Sequence, residues 1–464
     1  MAQPLSPKRP SHFEPMPVIF RLLGTVRVRA AVAVELSLCL LIALLAIGCR
    51  PDAPPPNVIL ISLDTLRADH VGAAGYSRDT TPNLDRLAAE GTLFLNNYSQ
   101  APNTAPSHTS ILTSLYPSVH GVFKHGQVLD PEVETLPEVF QQAGYRTAAF
   151  TQLNGETYKQ GFDRYHILES PPNAGKGLKD TQVIQEWISK SLDQPFFLFV
   201  HSYDVHLPYS PPKNFIDRFA PGYDGPLPVW IQREDINRIN HGQLELAARD
   251  YQYIVDLYDA ELFRADEILG TLFDHVREAG IWDETVIVVL SDHGEEFGEH
   301  GLYGRHTYSL YNELLRTPLI LRGPGVPVGG KVTNPSRNID VAPTLMRLAG
   351  LKPPESFMGD DLRPVWKGRE REPREVVAER RVDRILIRNN YKYFSDGRLF
   401  DLSLDPTEQT DIAANHPEIA LEMQEGLDGW IRRFVERQKE VASSAEILLT
   451  GEEEQRLRAL GYLD

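Results

Sequence analysis

The chain has 464 residues, of which 42% are hydrophobic and 24% are charged, and its formal net charge is −17. This composition is typical of a globular protein with one large domain or two modest ones, and it excludes a disordered chain. Because the first 49 residues are net basic, the rest of the chain is more acidic still, which excludes nucleic acid as a partner bound through general electrostatics.

The N-terminal segment has the pattern of an export signal. An apolar run from Ala30 to Gly48 follows three arginines and ends at Cys49. The ending LAIGC resembles a bacterial lipoprotein signal, so we expect residues 1–49 to be a signal peptide, Cys49 to be lipidated and residues 50–56 to form a tether. An uncleaved signal anchor is the alternative. Either case predicts an extracytoplasmic, membrane-anchored protein in the bacterial periplasm or on the outer membrane. Both cysteines of the chain lie in this segment, so the mature domain is expected to have neither a disulfide nor a thiol nucleophile.

The first predicted strand, Asn57–Leu63, is a continuous apolar run rich in β-branched residues, as expected for a parallel strand covered on both faces. It ends at Asp64. Ligands bind at the carboxyl ends of strands in open α/β sheets, so Asp64 is a candidate site residue by position. A helix over residues 81–91 and a strand over residues 92–99 follow.

The stretch from Asn103 to Thr113, NTAPSHTSILT, predicts a turn that leads into a helix. Asn103 and Thr104 are expected to accept hydrogen bonds from free N–H groups of this helix, and Pro106 fits its first turn. A helix N-terminus favours anions. The hydroxyl of Thr104 would therefore point at a bound anion, as a nucleophile in phosphoryl or sulfuryl transfer must.

Two later apolar runs also end in polar residues. The first, Gln194–Val200, is followed by HSYDVH, and the second, Thr285–Leu290, is followed by SDHG. Helices are expected over residues 136–144 and 247–280, and a further strand over residues 145–150. The alternation of strands and helices predicts an α/β fold with a mostly parallel sheet and helices on both faces.

A change of composition near residue 364 predicts a boundary between a catalytic domain, residues 57–363, and a C-terminal subdomain, residues 364–464. Runs at 376–379, 384–388 and 391–400 are expected to be short strands of a smaller antiparallel sheet, and a helix over 418–439 is expected to pack on it.

Four side chains at the predicted strand ends and the adjoining turn are metal-ligand types: Asp64, Thr104, Asp292 and His293. Two carboxylates, an imidazole and a hydroxyl can hold one divalent cation. Such an ion would polarise a phosphate or sulfate oxygen and lower the pKa of the Thr104 hydroxyl.

From the tether onward, the chain resembles the sulfatase family of the alkaline phosphatase superfamily. NVILISLDTLRADHVG is similar to that family's first strand and metal aspartate, TAPSH to its nucleophile motif C/S-x-P-S-R, and SDHGEEFGEHG to its later metal-ligand segment. The resemblance implies an alkaline-phosphatase-like fold and the four metal ligands named above. It also implies substrate-side roles for His206 in DVHLPY and for His306 in GRHTYSLY.

Two departures from the family pattern bear on function. Sulfatases use formylglycine made from Cys or Ser, which Thr104 cannot become, whereas relatives with Thr handle phosphoesters. His108 stands where the motif has Arg, so we expect His108, Arg67 or Lys124 to bind the anion, with His125 a further candidate. A structural ion pair or an exposed position is the alternative for the basic residues among these.

These features predict a metal-dependent hydrolase or transferase of phosphate or sulfate esters. Thr104 would be the nucleophile, and His206 and His306 would bind the transferred group or protonate the leaving oxygen. Phosphoesters are favoured, because phosphothreonine can be hydrolysed by in-line attack whereas sulfothreonine lacks the second hydroxyl that expels sulfate. The alternatives are an arylsulfatase-like sulfuric ester hydrolase and a non-catalytic glycan-binding lipoprotein. We expect one divalent metal ion, Mn²⁺, Zn²⁺ or Ca²⁺, and a small-molecule, glycan or lipid ester as substrate.

Overall fold

The computed structural model describes residues 54–168, 181–369, 374–441 and 451. The predicted signal, Cys49 and most of the tether lie outside these residues, so those expectations stay predictions. The described residues from Pro55 onward belong to one compact unit. Among the described residues, none of the helices has the length and apolar character needed to cross a membrane.

The main sheet is mostly parallel, as predicted. Its strands lie in the order β4-β3-β5-β1-β6-β7-β2-β8, with β9 paired to β2. β7 runs antiparallel to both of its neighbours, and the other pairs are parallel. The strands are β1 (Asn57–Leu63), β2 (Thr92–Tyr98), β3 (Arg146–Thr151), β4 (Arg164–Ile167), β5 (Phe196–Ser202), β6 (Thr285–Leu290), β7 (Arg316–Arg322), β8 (Gly330–Val332) and β9 (Ser336–Arg337).

Helices cover both faces of this sheet. They are α1 (Pro82–Ala89), α2 (Thr104–Thr113), α3 (Pro117–His120), α4 (Leu136–Gln142), α5 (Thr181–Ser189), α6 (Lys213–Phe219), α7 (Arg233–Asn240), α8 (Ala248–Glu278), α9 (Asn312–Leu315), α10 (Val341–Leu348) and α11 (Arg363–Trp366). Alternate residues of β1 point to opposite faces. Ile59 and Ile61 join the cluster that contains Leu269 of α8, whereas Val58 and Leu60 join the cluster that contains Leu345 of α10. Burial on both faces explains why β1 is apolar without alternation.

The C-terminal region forms a second, antiparallel sheet of four strands: β10 (Val376–Arg380), β11 (Asp383–Arg388), β12 (Tyr391–Phe394) and β13 (Leu399–Asp401). The prediction of one strand over residues 391–400 was wrong. A turn splits this run, because Gly397 adopts a φ of +99° and the Phe394 N–H donates to the Arg398 carbonyl at 2.9 Å. Helix α12 (Pro417–Glu440) packs on the sheet through a shared apolar cluster, as predicted.

The topology brings three strand ends together. β1 lies between β5 and β6, and Ser62 near its end pairs with His201 on one side and Leu290 on the other. All three strands run in the same direction, so the residues that follow them meet at one edge of the sheet. Asp64 and the SDHG segment after β6 are therefore neighbours in space.

Candidate nucleophile and metal site

Thr104 begins helix α2 and is 3% exposed, with its Oγ1 3.3 Å from His293 Nε2. The helix is fixed against the strand end by Ser107, whose Oγ donates to the Asp292 carbonyl at 2.6 Å. The expected cap by Asn103 was wrong: its side chain makes no bond to the helix and donates instead to the Phe123 carbonyl at 3.4 Å. The start of the helix is therefore positioned by tertiary contacts.

Two fully buried carboxylates face this hydroxyl region. Asp292 Oδ1 accepts hydrogen bonds from the backbone N–H groups of His293 and Thr65 at 2.9 and 3.3 Å. Within the described residues, Asp292 Oδ2 and Asp64 Oδ1 accept no hydrogen bond. Burial raises the pKa of both carboxyls, and their mutual repulsion adds to the effect at Asp292, while His293 opposes it. Two buried acceptors without donors call for a positive partner.

The backbone after Asp64 is held in an uncommon conformation. Thr65 has a φ of +60°, which is unusual for a β-branched residue. Its N–H donates to Asp292, and its carbonyl accepts from the hydroxyl of Tyr258 on α8 at 2.8 Å. Such strain persists only where surrounding contacts enforce it, and it is concentrated at functional sites.

The side chains at this place fit a divalent cation. Ligand atoms of Asp64, Asp292 and His293 lie within 4.8 Å of one another, and all three residues are buried. His293 Nδ1 is 2.9 Å from the Gly294 carbonyl, a contact in which Nδ1–H donates and Nε2 keeps its lone pair toward the carboxylates. The four predicted ligands, Thr104 included, are thus brought together, although the assignment of each as a ligand stays a prediction.

The two predicted substrate-side histidines lie next to each other. The ring of His306 is 5.1 Å from that of His206 and 4.6 Å from that of His293. His306 Nδ1 lies 3.1 Å from Glu295 Oε1. Burial alone would lower the pKa of His306, but Glu295, Asp64 and Asp292 together outweigh it and the pKa is raised. His306 is therefore suited to hold a proton.

The predicted anion-binding residues are placed very differently. Arg67 is buried, and its guanidinium is occupied by Asp69 and Glu299 at 2.7 and 2.6 Å, so these contacts give it a structural role. Lys124 and His125 are exposed. His108 is fully buried, with Nδ1 3.4 Å from Asp292 Oδ2. A substrate-binding role for Arg67, Lys124 or His108 stays a prediction.

Sequence reasoning missed two residues that shape the site. Glu295 follows the SDHG segment and orients His306. Asn338, far along the chain, donates from Nδ2 to the Ser291 carbonyl at 2.8 Å and so fixes the backbone just before Asp292. The acidic run after SDHG could have drawn attention to Glu295, but nothing local in the sequence singles out Asn338.

Comparison with protein families identifies the chain. The family model named Sulfatase matches residues 56–351, and the model for the C-terminal part of N-sulphoglucosamine sulphohydrolase matches residues 298–432. The first match spans more than half of the chain and contains each predicted metal ligand.

Individual relatives and solved structures support the same family. Arylsulfatase K of Bos taurus is 26% identical over 82% of this chain and 82% of its own length, and an N-acetylglucosamine-6-O-sulfatase of Bacteroides thetaiotaomicron is 24% identical over 78% and 83%. A solved structure in complex with its substrate D-glucosamine-2-N,6-O-disulfate superposes with a TM-score of 0.69, at 22% identity over 82% of this chain and 98% of that one. The phosphonate monoester hydrolase of Agrobacterium radiobacter superposes with a TM-score of 0.66, at 21% identity over 82% and 96%. The protein thus belongs to the sulfatase family of the alkaline phosphatase superfamily, and it is a sulfatase-family ester hydrolase.

Proposed function

We propose that this chain hydrolyses an anionic oxyacid ester through attack by the Thr104 hydroxyl. The observation that carries the proposal is the position of Thr104 Oγ1 beside His293 Nε2, next to two buried carboxylates that have oxygens without hydrogen-bond donors. When bound by Asp64, Asp292, His293 and Thr104, a divalent cation would lower the pKa of the hydroxyl and neutralise charge on the ester.

The chain's own residues account for the remaining chemistry. His293 Nε2 lies 3.3 Å from the Thr104 hydroxyl oxygen and would bind the same ion, so the hydroxyl proton would pass to solvent water. His306, with its Nδ1–H held by Glu295, presents a protonated Nε2 for the leaving oxygen. Tyr209 holds Glu295 in turn, since its hydroxyl donates to Glu295 Oε2 at 3.2 Å. A water molecule would then cleave the threonine ester and restore the hydroxyl.

Sulfate esters are the substrate class that the comparisons support. The curated relatives carry sulfatase names, and the substrate in one similar structure is a sulfated glucosamine. By analogy, a sulfated sugar is the first candidate. The preference for phosphoesters drawn from the sequence has less support from these relatives.

Phosphorus esters are the second candidate, because of residue 104 itself. Thr104 cannot form the hydrated aldehyde, so turnover on a sulfate ester would require water to attack the sulfur of a sulfothreonine. A phosphothreonine is open to in-line attack at phosphorus. Two of the similar structures are phosphonate monoester hydrolases.

The test compares matched aryl sulfate, aryl phosphate and aryl phosphonate esters on purified, metal-loaded protein. Thr104→Ala should abolish turnover of the best substrate and Thr104→Ser should retain part of it. Thr109→Ala is the matched control, because Thr109 lies buried on the same helix and donates its hydroxyl to the Ala105 carbonyl. Wild-type rates in Thr104→Ala would refute the nucleophile, and the ranking of the three esters decides between the substrate classes.

A further inference from the structure

A second cluster of ligand-type side chains adjoins the site. It consists of Asp64, His108 and His201, whose ligand atoms lie within 4.8 Å of one another. All three residues are 0% exposed. The rings of the two histidines meet edge to face, with centroids 4.7 Å apart and an interplanar angle of 89°. Two imidazoles and a carboxylate converge in one buried place.

Each imidazole has one ring nitrogen near a hydroxyl, here called the outer nitrogen, and the other near a carboxylate, here called the inner nitrogen. His201 Nδ1 is 3.3 Å from Thr151 Oγ1, and its Nε2 is 3.3 Å from Asp64 Oδ2. His108 Nε2 is 2.9 Å from Ser62 Oγ, and its Nδ1 is 3.4 Å from Asp292 Oδ2, a carboxylate of the first site. An outer N–H held by a hydrogen-bond acceptor and an inner lone pair is the arrangement found around metal-binding histidines.

The two carboxylate oxygens of Asp64 face different histidines. Oδ2 is 3.3 Å from His201 Nε2, whereas Oδ1 is 3.9 Å from His293 Nε2. One carboxylate can therefore contribute an oxygen to each of two neighbouring sites, as carboxylates between paired ions do.

A cation would be held here by lone pairs of the two imidazoles and by a carboxylate oxygen, whose atoms lie within 4.8 Å of one another. The competing arrangement is a hydrogen-bonded network without an ion. In that network His108 Nδ1–H donates to the Thr104 carbonyl at 3.0 Å, and His201 Nε2–H donates to Asp64.

We propose that Asp64, His108 and His201 bind a second divalent cation, with Asp64 shared between the two ions. Two nitrogens and one oxygen form a donor set that suits Zn²⁺. The inference rests on the metal site of the proposed function and extends it, because that function requires one ion. It also gives His108, at the position of the family's arginine, a ligand role in place of anion binding.

The experiment counts Zn²⁺ in the full chain after chelator treatment, reloading with Zn²⁺ alone and removal of free metal. Wild type should hold two ions, His201→Ala one, and His201→Cys two, since a thiolate replaces the imidazole. His120→Ala is the matched control and should hold two, because His120 is equally buried but contacts Ser110 outside the cluster.

The two proposals fail in different ways. One ion in wild type and one in His201→Ala would overturn the second site and leave the proposed function intact, whereas no ion in wild type would overturn both. One ion in wild type and none in His201→Ala would mean that a single ion uses both sets of histidines, which also overturns the second site.

A milder pair of variants covers the case in which His201→Ala does not fold. Ser62→Ala and Thr151→Val remove only the outer hydroxyls. Each should weaken binding of the second Zn²⁺ by about 10- to 100-fold in calorimetric titration while leaving the first unchanged. Two unaltered binding steps in both variants would overturn the proposal.

Discussion

The effect of Asp292→Asn on the free energy of unfolding should depend on metal. The substitution should stabilise the metal-free protein and destabilise the metal-loaded protein. The two carboxylates have ligand atoms within 4.8 Å and no solvent exposure. At an effective dielectric constant of about 20, two charges at that separation repel by about 3.5 kcal/mol. The Asn side chain keeps an oxygen that can accept the hydrogen bonds now made to Oδ1. Its uncharged amide NH₂ takes the place of Oδ2, which accepts no hydrogen bond from the described residues. In chelator, Asp292→Asn should therefore be more stable than wild type, and with saturating metal it should be less stable.

The shift can be read from thermal melts. For a folded unit of about 410 residues, about 3.5 kcal/mol corresponds to about 4 °C. Burial raises the pKa of Asp64 and Asp292, so the metal-free folded state takes up protons more readily than the unfolded chain does. The stability of metal-free wild type should therefore fall as pH rises above the unfolded value near 4, and the advantage of Asp292→Asn in chelator should grow with the same rise in pH. If wild type were more stable than Asp292→Asn both with and without metal, repulsion between the two carboxylates in the metal-free protein would be refuted.

Three further changes test buried contacts elsewhere in the fold. Glu379→Ala should cost about 3–5 kcal/mol in urea unfolding, because it removes a fully buried carboxylate that pairs with Arg384 at 2.9 Å and accepts from the Ser118 N–H at 2.9 Å; a loss below 1 kcal/mol would contradict this. Burial raises the pKa of Asp266 from 3.8 to about 6, so the stability of wild type should fall by about 2 kcal/mol as pH rises from 4 to 6, and Asp266→Asn should lack this slope. Leu269→Ala should cost about 2–5 kcal/mol in the same assay through the cavity it opens under α8, with unchanged Zn²⁺ content.

The sequence predicted those parts of the fold that depend on local pattern. The apolar runs that became β1, β5 and β6 show burial on both faces, and the polar residues after them mark the edge where the site forms. The antiparallel direction of β7 and the turn inside the run at residues 391–400 did not follow from burial pattern, because alternation says nothing about strand direction.

The candidate site was predictable as a set of ligand types but not as a set of contacts. Arg67 was a reasonable anion binder in the sequence, but the fold brings Glu299 to its guanidinium from 232 residues away. Ser62 and Thr151 lie within buried strands and are ordinary strand residues by composition. Their contacts with His108 and His201 depend on the parallel register, in which Ser62 pairs with His201, and no local feature of the sequence specifies that register.

The buried ligand groups beside Thr104 help to distinguish a catalytic role from glycan binding alone. Two buried carboxylates and an uncommon φ at Thr65 lower stability unless cations are bound. A chain that used this fold only to bind glycans would gain stability by losing these groups, since apolar replacements of buried charges are often neutral or stabilising. Asp64, Asp292 and His293 are nevertheless present beside the Thr104 hydroxyl. If Thr104 is the nucleophile proposed above, its ester must break down without a hydrated aldehyde, and this is why the comparison of sulfate with phosphorus esters is the measurement that matters most.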